Sequence, residues 1–546
     1  MKNFIVLSFL SFFIFLSCSK EKTTPKKPKL VIGIVIDQMR YDYLARFADK
    51  YGEDGFKRII KNGFSLENAH FNYIPTYTAV GHASVYTGTT PENHGIIGNN
   101  WYDKYAKEYI YCVDDSNYKT VGVTSKGGEK SPFRMQTTTI TDQLRLAQNM
   151  QGKTISIAIK DRSAVLPGGH TANGAYWLEG KKEGKWITSS YYMNALPTWV
   201  NNFNSSGKAA AYLSKPWNTL YDINTYTESM ADNNAFERSF RGKEAPTFPY
   251  DIPTLKEKNG NFEMLKGIPA GNSFTTDFVK AAIKGENLGK SDFTDFLAVS
   301  YSTPDYIGHQ FGVASKEVQD NYLRLDKDLA SLFKFLDTEI GKDNYTLFLT
   351  ADHAVVQVPA YLQSEKIPAH YINSSTLKKY VNNITLEHFK SDNLVENISN
   401  FQIFLNKEEI KKLKLDVNTV AQKIADEVIH FDKIYKAVTA RTMQTTHFTD
   451  GILQKLQKGY NQKFSGDVLL IPLPSTLSSS SRTGTSHGSG YSYDTHVPII
   501  FYGNGIKKGA SKKAHTVTDI APTIANLLQI EFPNGTTGEI VEGALK

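Results

Sequence analysis

The sequence predicts an α/β fold: an open, mostly parallel sheet flanked by helices, with inserted cap regions. Three observations carry this expectation. Short, nearly continuous apolar runs recur at 30–36, 154–159, 296–300, 346–350 and 497–502. Without an in/out alternation, such runs suit strands buried on both faces of a parallel sheet. Helical periodicity lies between them, as in Val318, Tyr322, Leu325, Leu329, Leu332, Phe333 and Leu336, an apolar stripe at three- and four-residue spacing. The runs also end at polar residues: Asp37, Lys160, and Asp352 just beyond 350, with Asp305 shortly after 300. Ligands in open α/β sheets bind at the carboxyl ends of strands, so these ends are the first functional signal.

Taken in chain order, the N-terminus is a targeting segment. Lys2 precedes the apolar stretch 4–16, which is short of the ~20 residues that span a bilayer and fits a signal-peptide core. Leu16-Ser17-Cys18 follows, then a polar linker over 18–29. Two readings stand: cleavage as an ordinary signal peptide over 1–17, or lipidation of Cys18. Both imply export, to the periplasm or to a lipid anchor in a bacterial envelope. Cys112 is the only other cysteine; it lies in a strand-like run and reads as core packing. The stretches at about 164–290 and 367–466 interrupt the sheet pattern. The first is rich in Asn, Gly, Tyr, Ser and Pro and reads as a loop-heavy cap; the second carries an amphipathic helix over 417–429 and an edge-like strand over 401–405. The last helix is expected over 519–528, with Asp519 as its N-cap. The remainder, 30–546, reads as one catalytic domain.

Composition narrows the function. With 40% hydrophobic and 21% charged residues the chain is globular, and a net charge of +7 over 546 residues with no long basic block argues against a nucleic-acid partner. No later segment has transmembrane length.

The chemistry gathers in a few positions. Asp305 and His309 stand at i and i+4, on one helix face. Asp352-His353 follows a strand, Asp37 ends another, and His487 lies in the glycine-rich turn Thr485-Ser486-His487-Gly488-Ser489-Gly490. Three Asp and three His suit zinc best among common metals, and two ions with three protein ligands each would keep open, catalytic positions. Thr78 opens a short helix, where backbone N–H groups favour an anion. A hydroxyl there beside a metal is a nucleophile candidate; its other reading is a simple helix N-cap.

In order, the chain carries Asp37 after a strand, Thr78-Ala79-Val80-Gly81-His82, His94-Gly95-Ile96-Ile97-Gly98-Asn99, Pro304-Asp305-Tyr306-Ile307-Gly308-His309, Ala351-Asp352-His353 and His487-Gly488. This set resembles the alkaline phosphatase superfamily, in its nucleotide pyrophosphatase/phosphodiesterase-like branch. Within it, Ile159-Lys160-Asp161-Arg162-Ser163-Ala164 resembles the phosphate-irrepressible, PafA-type bacterial alkaline phosphatases. The resemblance implies two zinc ions. One would be held by Asp37, Thr78, Asp352 and His353 and would activate the nucleophile. The other would be held by Asp305, His309 and His487 and would take the leaving-group oxygen. It further implies that Asn99 donates to a phosphate oxygen. His82 is assigned a structural role; His170 and His496 are candidates for a supporting shell.

Lys160 and Arg162 separate the possible reactions. At i and i+2 after a strand, both side chains are expected to point the same way and to meet the extra charged oxygen of a monoester dianion. That favours a phosphomonoesterase acting on small phosphomonoesters through a phosphothreonine intermediate. The alternative within enzymes is a phosphodiesterase or nucleotide pyrophosphatase. Sulfatase chemistry lacks its Cys-x-Pro-x-Arg setting. A non-catalytic zinc-binding surface lipoprotein, taking glycans on its aromatic cap, is the alternative outside enzymes.

Overall fold

A computed structural model of the protein describes residues 27–546. The expected signal segment and Cys18 lie outside the described residues. The expected α/β architecture is present. Ten strands form the main sheet: β1 (Leu30–Ile36), β2 (Phe64–His70), β3 (Thr120–Val121), β4 (Thr154–Ala158), β5 (Gly174–Glu179), β6 (Lys185–Ser189), β7 (Asp295–Tyr301), β8 (Tyr345–Thr350), β9 (Ile499–Gly503) and β10 (Gly509–Thr516), in spatial order β10-β2-β9-β8-β1-β7-β4-β5-β6-β3. The five central strands β8-β1-β7-β4-β5 are parallel. Every residue of β1, β4, β7 and β8 is buried, which explains why these four read as unbroken apolar runs.

Two flanks depart from the parallel pattern. β9, from the apolar run at 497–502, is antiparallel to both β8 and β2; hydrophobicity reports burial and carries no direction. β5 and β6 continue the sheet, so the stretch expected as a loop-heavy insertion from 164 contributes structural strands before its irregular part begins. Gly174 and the charged turn between β5 and β6 gave these strands a loop-like composition.

The second interrupting stretch builds a small sheet of its own, with Val395–Ser399, Gln402–Leu405, Val468–Pro472 and Ile434–Thr439 side by side in that order. Helices Ser374–Phe389 and Val417–Val428 close a separate core that includes Val381, Ile403, Ile424 and Val468. The strand expected as an edge, Gln402–Leu405, is instead interior and fully buried, paired on both sides.

Five helices matter for the site: α1 (Thr78–Thr87), α2 (Asp161–Gly168), α3 (Ala270–Gly285), α4 (Thr303–Phe311) and α5 (Lys316–Glu339). α5 buries the predicted stripe from Val318 to Leu336. Asp519 holds the N-cap position of the last helix, Ile520–Leu528, as expected, while its carboxylate closes a capping box with Thr516 over the preceding 3-10 turn. Among the described residues no helix is long and apolar enough to cross a membrane.

Candidate active site

Because β8, β1, β7 and β4 are parallel neighbours, their carboxyl ends open onto one crevice. Asp37 follows β1, and its N–H bonds to the Tyr301 carbonyl at the end of β7 (3.0 Å). Asp305 sits in the first turn of α4, just past β7, with His309 one turn on. Asp352 and His353 follow β8; Lys160 follows β4 and ends at the start of α2. His487 arrives from the loop before β9. The predicted ligands therefore converge from segments more than 400 residues apart in sequence.

Two groups of ligand atoms form. Asp305, His309 and His487 make the first: Asp305 Oδ1 lies 3.1 Å from His309 Nε2 and 3.6 Å from His487 Nε2. The second surrounds His353 Nε2, with Asp37 Oδ1 and Asp352 Oδ2 each 3.5 Å away and Thr78 Oγ1 at 3.4 Å. Asp305 stands between the two and also groups with Asp37 and His353.

The histidines are set to be ligands. Each donates its Nδ1–H to a backbone carbonyl: His309 to Thr485 (2.7 Å), His487 to Thr76 (2.7 Å) and His353 to Ala354 (3.1 Å). The Nε2 lone pair is left for the crevice. His353 and His487 stack with ring centroids 3.4 Å apart. Burial, then the neighbouring His309, pushes His487 down to about 3; burial and His487 lower His353. Both rings are thus neutral, as metal ligation requires. Burial opposes charge on His309 as well, but Asp305 outweighs it and the net shift is upward. His82 contrasts with these three. Its ring nitrogens face the Thr78 carbonyl (2.8 Å) and Ser300 Oγ (2.9 Å), which fixes the helix start and fits the structural role expected of it.

The carboxylates fit a divalent cation. Asp37 Oδ1 and Asp352 Oδ2 are buried and accept no hydrogen bond. His82 Nδ1, 3.3 Å from Asp352 Oδ2, spends its hydrogen on Thr78. Burial followed by the charge of Asp352 raises Asp37 well above the usual carboxylate range, and burial pushes Asp352 up to about 7. Buried, mutually repelling carboxylates with open oxygens are the donor set that a cation completes.

Thr78 is 1% exposed and begins α1, a helix buried along its whole length. Tyr77 holds the N-cap position and makes no side-chain cap. The Thr78 hydroxyl therefore faces His353 rather than capping the helix. Asn99 accepts from the Ala79 N–H through Oδ1 (2.9 Å), which leaves its NH2 free to donate. Gly81 lets this helix lie against the strand end: a Cβ there would stand 2.0 Å from the Asp352 carbonyl oxygen.

Lys160 and Arg162 part ways, contrary to the expectation of a shared strand face. The chain turns into α2 at Asp161, so strand alternation no longer applies. Lys160 is 4% exposed, and its Nζ bridges Asp37 Oδ2 and Asp305 Oδ2 at 2.6 Å each, 5.0 Å above the Tyr306 ring. Burial opposes its charge, but Asp305 and Asp37 outweigh that and hold it above the usual lysine range. Arg162 donates to the Tyr111 hydroxyl (3.0 Å), which itself donates to Asp161. Asp142 holds Thr139, Thr171 and His170. His170 and His496 sit away from the ligands, the latter stacked between Tyr41 and His70.

Gln38 was not legible in the sequence. It adopts φ 64°, unusual for a non-glycine residue. Its N–H reaches Asp352 Oδ1 (3.1 Å), and its Nε2 reaches Asp305 Oδ1 (2.6 Å). One residue thereby ties together the two ligand groups. The only sequence signal was its position directly after Asp37.

The sequence profile for type I phosphodiesterase / nucleotide pyrophosphatase matches residues 31–496. The chain belongs to this family. It is 44% identical over 548 residues to a Myroides odoratus protein named calcium-transporting ATPase, covering 100% of this chain and 99% of that one. It is 45% identical over 523 residues to alkaline phosphatase PhoV of Synechococcus elongatus (96% and 94% covered). Alkaline phosphatase PafA of Elizabethkingia meningoseptica is 41% identical over 525 residues (96% and 95%). A crystal structure of wild-type PafA matches with a TM-score of 0.92, covering 96% of this chain and 100% of that one. Within the family, the chain thus groups with the PafA- and PhoV-like phosphatases, as the motif order predicted.

Proposed function

We propose that the protein is an exported alkaline phosphatase that hydrolyses small phosphate monoesters, with Thr78 as nucleophile and two zinc ions as cofactors. The observation that carries this reading is the buried Thr78 hydroxyl, 3.4 Å from His353 Nε2, at the start of a buried helix and amid carboxylate oxygens with no other partner. Asp37, Thr78, Asp352 and His353 would hold one ion; Asp305, His309 and His487 would hold the other. Bound there, two divalent ions lower the cost of ionising the hydroxyl and of releasing an alkoxide.

The chain's own residues supply the rest. The α1 N-terminus favours the anionic phosphoryl group, and Asn99, anchored by the Ala79 N–H, offers its amide to an equatorial oxygen. Thr78 passes its hydroxyl proton to water as Oγ attacks phosphorus in line, and the departing ester oxygen takes up a proton from water, so the step is proton-neutral. The phosphothreonine is then attacked by water, which frees inorganic phosphate and returns the hydroxyl. Lys160, held between Asp37 and Asp305, would supply positive charge within the crevice, and Arg162 would add to the field from its place beside Tyr111. A dianionic monoester gains more from them than a monoanionic diester, which favours monoesters over the phosphodiesterase alternative.

The naming of a relative as an ATPase is compatible with this chemistry, since ATP hydrolysis also transfers a terminal phosphoryl group to water, from an anhydride rather than an ester. Export through residues 1–17, with or without lipidation of Cys18, remains part of the proposal, as does one catalytic domain over 30–546 with its inserted segments.

Thr78→Ala tests the reading. Zinc content should stay near two per chain while monoester turnover falls by about 10³-fold or more. Acid-quenched wild-type enzyme should carry phosphate on Thr78. Near-normal turnover in the alanine variant would reject Thr78 as nucleophile.

A further inference from the structure

Lys160 and Arg162 also line a second opening. A cavity of about 470 Å³ opens against these two residues, Tyr111 and Tyr306, within the range of small-ligand sites. Its lining carries six cations: Lys126, Lys130, Lys160, Arg162, Lys181 and Lys266. Three carboxylates face them, Asp161, Glu179 and Glu263, so positive charge is in excess.

The pairing within the cavity sharpens the imbalance. Lys266 bonds Glu263 at 2.6 Å, and Lys130 is drawn to Asp114. Asp161 is taken up by Tyr111 and the Arg162 N–H. Lys126 and Lys181 are exposed at the rim and form no salt bridge among the described residues. Arg162 Nε is buried without a hydrogen-bond partner. A single phosphate in the crevice needs only the inner pair, Lys160 and Arg162. The outer lysines therefore have no role in turning over a simple monoester.

We propose that this basin holds a second anionic group of the substrate, so that small bisphosphorylated compounds are preferred over monophosphates of the same carbon skeleton. The inference rests on the monoesterase reading above. A reacting phosphate fixed in the crevice makes capture of the second one intramolecular, at high effective concentration. The gain is bounded by the exposure of the rim lysines, since contacts to solvated charges are weak and weaken further with salt.

The test compares kcat/KM for butane-1,4-diyl bisphosphate and butyl phosphate in wild type and in the Lys126→Ala, Lys181→Ala double variant. Both substituted residues are exposed and lie outside the catalytic crevice. After allowing for two equivalent reactive ends, wild type should favour the bisphosphate by about fivefold at low ionic strength. The double variant should lose most of that preference and keep its butyl phosphate activity within about twofold. An absent preference, or one unchanged in the variant, overturns the basin as a substrate subsite. Failure of wild type to hydrolyse butyl phosphate at all would instead reject the monoesterase reading on which the inference rests.

Discussion

Two buried acidic clusters in this molecule handle the same electrostatic problem differently. At the strand ends, Asp37, Asp305 and Asp352 share a crevice with Lys160 and three imidazoles. Beside α5, Glu237 and Glu317 sit 6% and 0% exposed, with the half-buried Asp232 nearby. There Glu317 accepts from the Tyr250 hydroxyl (2.6 Å), while one oxygen of each glutamate has no partner. Burial, followed by Glu317 and Asp232, raises Glu237 to about 10; burial, with Asp232 and Asp320 adding to it, raises Glu317 to about 8 despite the Tyr250 contact. This second cluster holds protons. In the first, burial likewise raises Asp37 and Asp352, but at Asp305 the charges of His309 and Lys160 outweigh burial and keep it well below the usual carboxylate range. Only the strand-end acids bring three ligand atoms within 4.8 Å of one another among the described residues. Burial alone makes an acid; burial with fixed lone pairs and open carboxylate oxygens makes a cation cradle.

The sharpest way to break that contrast is to deform the cradle without touching its chemistry. Gly81→Ala puts a Cβ against the Asp352 backbone, so helix α1 and the Asp352–His353 turn must move apart. We expect monoester kcat/KM to drop by about 10²-fold, since small misplacements at a reacting centre cost that much. An unaffected variant would mean the helix has slack and its close approach is incidental.

Arg162→Ala probes the electrostatics more gently. Unlike Lys160, Arg162 contacts no candidate metal ligand, so its loss should leave metal content intact. Removal of one charge-assisted contact, worth about 1.5–3 kcal/mol, should lower monoester kcat/KM by at least about tenfold. Turnover of the matched methyl diester should fall much less. Equal losses on both substrates would make Arg162 a structural partner of Tyr111 and remove its support for monoester preference.

The smallest effect belongs to the proton-holding pair. A carboxyl raised in the folded state keeps its proton where the unfolded chain has released it. Stability from this source is complete below the unfolded glutamate value near 4.3 and declines as pH rises toward the folded values of about 8 and 10. Glu317→Gln keeps an oxygen for Tyr250 and removes one ionisation. Compared with wild type, its Tm should rise by about 2 °C at pH 9, with no gain at pH 5. A pH-independent change would show that the pair is not holding protons.

Legibility in the sequence followed the same physics. The four strands buried on both faces left unbroken apolar runs, and the polar residue ending each run marked the crevice. The placing of Asp37, Asp305, Asp352 and His353 at the crevice was therefore readable, while the i, i+4 spacing, the glycine-rich turn and the motif order brought in His309 and His487. What escaped depends on three-dimensional neighbours. The direction of β9 and the interior place of Gln402–Leu405 are pairing facts that hydrophobicity does not encode. Lys160 and Arg162 diverge because a helix begins between them. Gln38 is a lone glutamine whose importance comes from two carboxylates that the fold brings to it. Glu237 and Glu317 meet only because the irregular segment folds back on α5.

Anomalous X-ray scattering at the zinc absorption edge, from crystals of the purified enzyme, would locate any ions in the crevice. Two peaks per chain are expected, one bounded by Asp305, His309 and His487 and the other by Asp37, Asp352 and His353 with Thr78 Oγ in contact. Active enzyme whose crystals show no metal peak at these residues, or a single ion shared through Asp305, would contradict this expectation.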